Sequence, residues 1–526
     1  MSEISASLGS LEARVSARLA ALQRERVVQR IWAKDPSVWG GDANTPELAD
    51  RLGWLELPER SARDVASFEQ FARDVAREFR HVVLCGMGGS SLAPDVLARA
   101  FGPRKDWPSF AMLDSTHPDA VSGIDGACEA ACTLCVIASK SGSTIETASF
   151  FRHYWDVLGG RGSQFIAITD PGSPLATLAA ARGFRRTFES PPDVGGRYSA
   201  LSPFGLVPGA LAGADVRAVL ERGATMAASC RIPDAGDNPG ARLGAVIAEA
   251  AAAGRDKLTL MDSAATGRLG TWIEQLVAES TGKSGKGIVP VVGEPLGALN
   301  VYGSDRLFVR VALADEAPSL ADQGLDQLAA GGHPVVRMTL DGPESLGAEF
   351  YRWEFATAVA CAILGVNPFD QPNVAESKAN TSAMLSGGGA PCPAVTAEEV
   401  ERAMAGLRPG EYVALLAYVP DTPEHAARLV KVAGRWRDRL GVPVTPAFGP
   451  RYLHSTGQLH KGGPASGRFV FVVPSPERDL PIPGEPYSFG ALMTAQAEGD
   501  LAALRARGRV AVKVTSLETL EQVNYA

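Results

Sequence analysis

The stretch Ser139-Lys-Ser-Gly-Ser-Thr-Ile-Glu-Thr147 directly follows the apolar run Thr133-Leu-Cys-Val-Ile-Ala138. An apolar run that leads into small hydroxyl residues, with Glu146 three positions after Ser143, predicts a buried strand, a tight loop and a capped helix start. A helix N-terminus offers unpaired backbone N–H groups, and the hydroxyl side chains add further donors. A plain helix cap is the alternative, but it needs fewer hydroxyl groups than this stretch carries. The stretch therefore predicts a binding site for a phosphate monoester.

Further apolar runs on both sides of this stretch alternate with segments long enough for helices. A first series lies at 81–85, 109–113, 133–138 and 164–168, and a second at 257–260, 287–292, 306–312 and 334–338. A third, smaller series lies at 412–419, 468–473 and 509–514, after a glycine-rich linker at 386–393. This alternation is typical of α/β folds with parallel sheets. Before the first series, residues 8–35 predict an amphipathic packing helix.

Composition excludes several classes of function. The chain has 526 residues, 45% of them hydrophobic, and 51 Lys and Arg against 59 Asp and Glu give a net charge of −8. Such a chain can bury two or three cores, and without a basic block we expect no nucleic-acid partner. The N-terminus does not resemble a signal peptide, and no apolar run is long enough to span a membrane, so we expect a cytoplasmic protein. The seven cysteines, including a lone Cys132-x-x-Cys135, are expected to be reduced structural thiols.

A second loop, Gly86-Met-Gly-Gly-Ser-Ser91, follows the first apolar run. It partly matches a dinucleotide-binding fingerprint, because Ser91 stands in place of the third glycine and Asp114 could bind a ribose. A Rossmann dehydrogenase is therefore an alternative. However, the carboxyl ends of neighbouring parallel strands meet at one crevice, where this loop and the hydroxyl-rich stretch would together bind one sugar phosphate.

Both loops resemble the sugar-phosphate loops of the glucose-6-phosphate isomerase family, and further motifs support this resemblance. They are Gly195-Gly-Arg-Tyr-Ser-Ala-Leu-Ser202, Ala278-Glu-Ser-Thr-Gly-Lys283 and Asn367-Pro-Phe-Asp-Gln-Pro-Asn-Val-Ala-Glu-Ser-Lys378. The tail, notably Arg451-Tyr-Leu-His-Ser-Thr-Gly-Gln-Leu-His-Lys461, resembles the isomerase part of bifunctional transaldolase/glucose-6-phosphate isomerases. The resemblance implies two sugar-isomerase (SIS) domains, each with a three-layer αβα architecture and a parallel sheet, and a smaller C-terminal α/β unit. The expected boundaries are 1–55 for an N-terminal helical segment, 56–225 and 226–388 for the SIS domains, and 394–526 for the C-terminal unit.

The resemblance also implies the chemistry of an aldose–ketose isomerase and the residues for it. Glu279 is expected to move a proton between adjacent carbons, and Arg197 to stabilise the enediolate that forms. Lys378 and a histidine are expected to open the sugar ring, and Gln371 to bind substrate. On the residues alone, Glu279 could lie at a solvated helix end, Arg197 in a structural salt bridge, and Lys378 on an exposed helix.

The histidine departs from the pattern of the shorter bacterial enzymes in the family. Their Leu-His-Ser-x-Gly-Gln segment lies between the glutamate and lysine motifs, where this chain has Gly297-Ala-Leu-Asn-Val-Tyr-Gly303. The matching string lies at 453–458, which favours His454 for ring opening, with His460 as its rival. A purely structural histidine, and action across a subunit interface, also remain open.

The remaining expectations concern the ligand and the partners. Phosphate contacts are expected from Ser139, Lys140, Ser141, Ser143, Thr144 and Thr147, with Gly88, Gly89 and Ser90 on the opposite wall. No set of side chains has the spacing of metal ligands, and proton transfer needs none, so we expect no cofactor. The resemblance implies a homodimer acting on glucose 6-phosphate and fructose 6-phosphate in glycolysis and gluconeogenesis. A non-catalytic sugar-phosphate sensor is the alternative from another functional class.

Overall fold

The structure is a computed structural model, and it describes residues 3–388 and 391–525. The strands are β1 (Glu3–Ser7), β2 (His81–Gly86), β3 (Ser109–Leu113), β4 (Thr133–Ala138), β5 (Phe165–Thr169), β6 (Arg186–Glu189), β7 (Lys257–Asp262), β8 (Val289–Val292), β9 (Arg306–Leu313), β10 (Val335–Leu340), β11 (Tyr412–Ala417), β12 (Val444–Phe448), β13 (Gly467–Val472) and β14 (Val510–Val514).

The helices connect these strands. They are α1 (Glu12–Arg24), α2 (Val27–Trp32), α3 (Leu57–Ser61), α4 (Val65–Glu78), α5 (Leu92–Phe101), α6 (Pro118–Ala127), α7 (Ile145–Val157), α8 (Pro174–Ala181), α9 (Pro203–Leu211), α10 (Val216–Ser229), α11 (Pro239–Ala252), α12 (Leu269–Thr281), α13 (Leu320–Ala330), α14 (Leu346–Leu364), α15 (Val374–Leu385), α16 (Ala397–Met404), α17 (Pro423–Leu440), α18 (Gly457–Gly462), α19 (Phe489–Ala506) and α20 (Leu517–Gln522).

Within the described residues the strands form three sheets. Their orders are β3-β2-β4-β5-β6, β1-β10-β9-β7-β8 and β12-β11-β13-β14, and every pairing except that of β1 is parallel. Alternate residues of each sheet enter different apolar cores: Val82 and Leu84 pack on one side of β2, and Val83 and Cys85 on the other. A strand with both faces buried has apolar side chains throughout, as the sequence predicts. The α/β class with layered, parallel sheets is confirmed.

The N-terminal segment differs from the expected helical segment. Strand β1 pairs antiparallel with β10, with Glu3 opposite Thr339 and Ser7 opposite Val335, so it extends the second sheet and makes it mixed. The single helix predicted at 8–35 is divided into α1 and α2, because Arg26 between them has a φ of 55° that an α-helix does not accommodate. The domain boundaries remain a prediction.

The C-terminal unit packs against the rest of the chain. Helix α15 lies against α19, where the Asn380 side chain donates to the Gly499 carbonyl at 3.4 Å. Of the predicted linker at 386–393, Gly389 and Ala390 lie outside the described residues. Across the part of the chain that the structure describes, no helix has both the length and the apolarity needed to cross a bilayer.

Candidate active site

The candidate active site is a cavity of about 300 Å³ at the carboxyl ends of the first sheet. The loops after β2, β4 and β5 form one side, and helix α12, the start of α15 and the 3-10 turn Arg451–His454 form the other. The predicted residues that line it are Gly88, Gly89, Ser90, Lys140, Ser141, Thr144, Arg197, Glu279, Gln371, Lys378 and His454. Ser139, Ser143 and Thr147 were also predicted but do not line the cavity: Ser139 and Thr147 are buried, and Ser143 is exposed. The structure thus brings together residues from all the predicted motifs.

Several lining residues were not predicted from the sequence. They are Glu47, Arg51, Met87, Asp170, Gly195, Gly196, Tyr198, Gln275 and Phe369. Most of them adjoin predicted motif residues, and proximity in the chain could have identified them. Glu47 and Arg51 come from the N-terminal segment, for which the sequence carries no local signal. Four cationic side chains, Arg51, Lys140, Arg197 and Lys378, line the cavity against three carboxylates, Glu47, Asp170 and Glu279. The cavity thus has a small excess of positive charge in a protein of net negative charge.

The first loop has glycines where its backbone lies very close to the backbone of two other turns. Gly88 has a φ of +55°, and a Cβ there would lie 2.9 Å from the His454 carbonyl oxygen. A Cβ on Gly89 would lie 2.1 Å from the carbonyl oxygen of Gly196, next to Arg197. Glycine at these positions therefore lets the loop contact both the Arg197 turn and the His454 turn.

We expect Gly89→Ala to lower kcat/KM strongly while Gly126→Ala, in helix α6, leaves it unchanged. The new Cβ would meet backbone atoms at position 89, so the loop and the Arg197 turn must separate, whereas a Cβ at Gly126 meets nothing within 4 Å. Displacement of a reacting group by about 1 Å can cost up to about 100-fold in rate. Steady-state kinetics of both variants check this, and equal kinetics would show that the close approach has no catalytic importance.

The hydroxyl-rich loop leaves the start of α7 without a side-chain cap. Thr144 is the N-cap residue, and its side chain does not accept a hydrogen bond from the helix; instead Ser139 Oγ lies 3.0 Å from Thr144 Oγ1. Ser141 and Ser143 hydroxyls pair at 3.0 Å. The predicted capping of α7 by Ser143 and Glu146 is therefore wrong, because the Glu146 carboxylate faces His454 instead. The uncapped N–H groups suit an anion.

Lys140 does not extend freely into the cavity. Its ammonium is ion-paired with Asp170, the residue after β5, and it also donates to the Pro192 carbonyl at 3.4 Å. Burial raises the pKa of the Asp170 carboxyl, and its pairing with Lys140 opposes that rise. The lysine expected to contribute charge to the phosphate site is thus partly neutralised by an unpredicted acid.

Arg197 and Glu279 face each other in the interior of the site. Arg197 Nη1 lies 3.4 Å from Glu279 Oε2, and the two residues are 4% and 5% exposed. The other guanidinium nitrogens are held by Ser280 Oγ at 2.9 Å and by the carbonyls of Pro368 at 2.7 Å and Asp370 at 2.9 Å. Because carbonyls hold most of its donors, the guanidinium is fixed with one nitrogen directed toward Glu279.

Helix α12 carries a second side chain that contacts Glu279. Gln275 lies one turn before Glu279, and its Nε2 donates to Glu279 Oε2 at 3.2 Å. The carboxylate therefore meets a guanidinium and an amide at the same oxygen, in a site largely shielded from water. A fixed, dehydrated carboxylate of this kind can transfer protons on a bound ligand.

Lys283 supports Arg197 indirectly. Its ammonium donates to Asp370 Oδ1 at 2.5 Å and to the Asn367 carbonyl, and so holds the loop whose carbonyls bind Arg197. Burial lowers the pKa of Lys283 to about 8, with the nearby Arg197 charge acting in the same direction. Lys283 closes the Ala278–Lys283 motif, and this position could have identified it from the sequence.

His454 lies on the wall of its own chain's cavity and contacts Glu146. Its Nε2 is 2.8 Å from Glu146 Oε1, which also accepts a hydrogen bond from Gln496 at 2.7 Å. Burial would lower the pKa of His454, but the Glu146 charge and hydrogen bond outweigh it, so the pKa is raised. Burial would raise the pKa of Glu146, but His454 lowers it overall. The pair therefore favours an imidazolium that can donate a proton.

His460 does not line the cavity. It is buried against the aromatic rings of Tyr412, Tyr452 and Phe469, and burial lowers its pKa to about 3. An imidazole that stays neutral within an aromatic core is suited to packing. Of the two candidate histidines, only His454 can reach a ligand in this cavity.

The turn that carries His454 is anchored both to the first sheet unit and within the C-terminal unit. Arg451 forms an ion pair with Asp114 at 2.5 and 2.9 Å, and Asp421 accepts from it at 2.8 Å. Tyr452 donates to Asp500 at 2.9 Å. Asp114, the candidate ribose ligand of the dehydrogenase alternative, is thus already bound by an arginine.

We expect Glu146→Gln to move the alkaline limb of the kcat/KM profile to lower pH. Glu146 raises the pKa of His454, so loss of its charge lets the imidazole lose its proton at a lower pH. Removal of an adjacent opposite charge typically shifts a pKa by about 1 or more, and the limb should move by about as much. A pH–rate profile with a ring-closed sugar phosphate measures this. An unchanged limb would show that the rate does not depend on protonated His454.

The sequence of this chain is similar to those of known proteins. A family model described as phosphoglucose isomerase matches residues 63–286. The glucose-6-phosphate isomerase of Rubrobacter xylanophilus is 33% identical over 397 residues, covering 64% of this chain and 90% of that protein. The corresponding protein of Carboxydothermus hydrogenoformans is 28% identical over 399 residues, covering 64% and 85%.

Solved structures show the same fold. A hypothetical protein from Thermus thermophilus superposes with a TM-score of 0.61 at 26% identity, covering 73% of this chain and all of that one. A glucose-6-phosphate isomerase from Chlamydia trachomatis superposes with a TM-score of 0.58 at 20% identity, covering 73% and 88%. The extent of the sequence match shows that this chain belongs to the glucose-6-phosphate isomerase family.

Proposed function

We propose that this protein interconverts glucose 6-phosphate and fructose 6-phosphate through a cis-enediolate. The observation that carries this proposal is the meeting of Glu279 and Arg197 in one cavity with the hydroxyl-rich loop. A phosphate sensor would need the loop, but it would have no use for a buried carboxylate and guanidinium at the far end of the ligand.

The phosphate group binds the hydroxyl-rich loop and the uncapped start of α7. Ser141 and Thr144 lie on the cavity surface there, and the helix dipole favours the anion. This end of the cavity anchors the sugar so that its first carbons extend toward α12. Gly88, Gly89 and Ser90 form the opposite wall and bring the backbone close to the ligand.

Ring opening is the role we propose for His454 and Lys378. Protonated His454 donates to the ring oxygen O5 as the C1–O5 bond breaks, and the anomeric hydroxyl passes its proton to solvent at the open side of the cavity. Glu146 keeps the imidazole charged. Lys378, exposed at the rim on α15, contributes positive charge beside this step, and Gln371 binds the sugar hydroxyls. His454 lines the cavity of its own chain, so we propose that it acts within its own subunit.

Isomerisation follows on the open chain. Glu279 removes the proton from C2 of the aldose and returns it to C1, while the hydroxyl proton on O2 passes to O1 in the enediolate. The carbonyl thereby moves from C1 to C2. Arg197 stabilises the negative charge that develops on the enediolate oxygens, because its guanidinium is fixed before the substrate binds. These steps require no metal or redox cofactor, so we propose that none takes part.

A coupled assay with fructose 6-phosphate tests this function. Reduction of NADP⁺ by added glucose-6-phosphate dehydrogenase is expected only when the purified protein is present. Binding of fructose 6-phosphate without turnover would favour the sensor, and stabilisation by NAD(P) alone would favour the dehydrogenase. We further propose a cytoplasmic homodimer that acts in glycolysis and gluconeogenesis, with light scattering as the test of the dimer.

A further inference from the structure

Helix α12 has a second functional face, opposite the active-site cavity. Gln275 and Glu279 face the active site from one side of the helix, whereas Glu274 points to the other side. There Ser455 Oγ donates to Glu274 Oε1 at 3.1 Å. Ser455 directly follows His454, so this hydrogen bond joins the helix of the proposed base to the turn of the proposed ring-opening histidine.

The environment of Glu274 partly shields this hydrogen bond from water. The carboxyl faces a separate cavity of about 430 Å³, whose mainly apolar lining includes Leu429, Val430 and Phe448. Burial raises the pKa of Glu274 to about 7, although Ser455 and Arg451 oppose the rise. A carboxyl group can accept the Ser455 hydroxyl in either protonation state, because the protonated form keeps a carbonyl oxygen.

Other contacts already hold the His454 turn in the fold. Arg451 binds Asp114 from the first sheet unit, and Tyr452 binds Asp500 within the C-terminal unit. Neither contact fixes the turn relative to the face of α12 that carries Glu279. Gln458, four residues after His454, donates to the Gly282 carbonyl at the end of α12 at 3.0 Å. The contact between Ser455 and Glu274 is made by the residue next to His454, so it is placed to set the distance between two groups that must reach one bound sugar.

We infer that Glu274 is a positioning residue, which acts through Ser455 to hold His454 at the correct distance from Glu279. This inference rests on the proposed function. Ring opening and proton transfer follow one another on neighbouring atoms of one anchored substrate, so both groups must be positioned around the same bound sugar. A small displacement of His454 would slow ring opening and leave the proton transfer at Glu279 intact.

Two single variants, their double variant and one control test this role. In Glu274→Leu the acceptor is lost, in Ser455→Ala the donor is lost, and Glu274→Gln keeps an acceptor oxygen for the Ser455 hydroxyl. Each is assayed with fructose 6-phosphate and with an analogue that lacks the C5 hydroxyl. The analogue cannot close its ring, and exchange of its C1 hydrogen with heavy water reports proton transfer alone.

Glu274→Leu and Ser455→Ala are each expected to lower kcat on fructose 6-phosphate about tenfold, with KM and exchange on the analogue within about twofold. The double variant should be no slower than either single variant, because both remove the same hydrogen bond. Glu274→Gln should stay near the wild-type rate.

Several results would overturn the inference. The first is an equal loss of rate on fructose 6-phosphate and on the analogue. The second is an additive loss of kcat in the double variant, and the third is a Glu274→Gln variant as slow as Glu274→Leu. Ser455→Ala removes a single hydroxyl group, so it provides the test if Glu274→Leu does not fold. Failure of the wild-type protein to isomerise fructose 6-phosphate would instead refute the proposed function.

Discussion

Replacement of Glu279 by glutamine is expected to lower kcat by about 10²- to 10⁴-fold, the contribution typical of a general base. Glutamine has nearly the same shape, and its amide oxygen can still accept from Arg197 and Gln275. The fold should therefore persist while the basic group is lost. Two measurements check this: turnover in the coupled assay, and exchange of the C2 proton of glucose 6-phosphate with solvent, which should disappear. Competition by inorganic phosphate should remain nearly normal.

Glu249→Gln is the matched control for this variant. Glu249 lies on α11, is 4% exposed and is paired with Arg14 and Arg18, and it does not line the cavity. The same loss of charge there should leave kcat unchanged. Near-normal turnover by Glu279→Gln would show that another group is the base.

The sequence alone predicts best those site residues that directly follow a buried strand. The loops after β2 and β4 each follow directly from a buried strand, and parallel strands bring their carboxyl ends to one edge. Gly88 and Thr144 could therefore be placed together without any structure. Arg197 and Glu279 could not, because their contact joins positions far apart in the chain, and only the family resemblance identified them.

The predicted capping role of Glu146 is wrong, because its carboxylate binds a side chain that is distant in the sequence and not a backbone N–H of its own helix. Its spacing from Ser143 fits a capping box, in which the carboxylate binds a backbone N–H of its own helix. In the structure the carboxylate instead meets His454, 308 positions later, and an imidazolium is a stronger partner than a neutral amide. Lys140 lines the cavity as expected, but its charge is shared with Asp170, which lies on the loop after the next strand and which the sequence does not pair with it.

Strand β1 was missed for a different reason. Its five residues, Glu3–Ser7, include few apolar side chains. Its pairing partner β10 is the last strand of the second sheet along the chain and is therefore far from β1 in the sequence. The five residues do alternate polar and apolar side chains, but with only Ile4 and Ala6 apolar the pattern is too short and too weakly apolar to predict a strand. Only the presence of the second sheet gives these residues a place to form hydrogen bonds.

Arg197→Lys is expected to lower kcat by about 10²- to 10³-fold. Removal of one fixed hydrogen-bond donor to an oxyanion that forms in the transition state typically has an effect of this size. Lysine keeps the charge but has a single nitrogen, which cannot reach Ser280, the two loop carbonyls and Glu279 together. Its ammonium would settle on the carbonyls and leave the enediolate without a cation. KM should change less than kcat, because the phosphate anchor is unaffected.

A comparison with Arg306→Lys separates catalysis from stability. Arg306 is 1% exposed and is held by Glu294 in the second sheet unit, away from the cavity. Both variants should lower the melting temperature, since each leaves buried acceptors without a partner. Only Arg197→Lys should lose kcat per folded molecule, measured in the coupled assay beside thermal unfolding. If Arg197→Lys lost stability but kept its turnover, Arg197 would be a structural salt bridge, and the enediolate would have to be stabilised by Gln275 or Lys378.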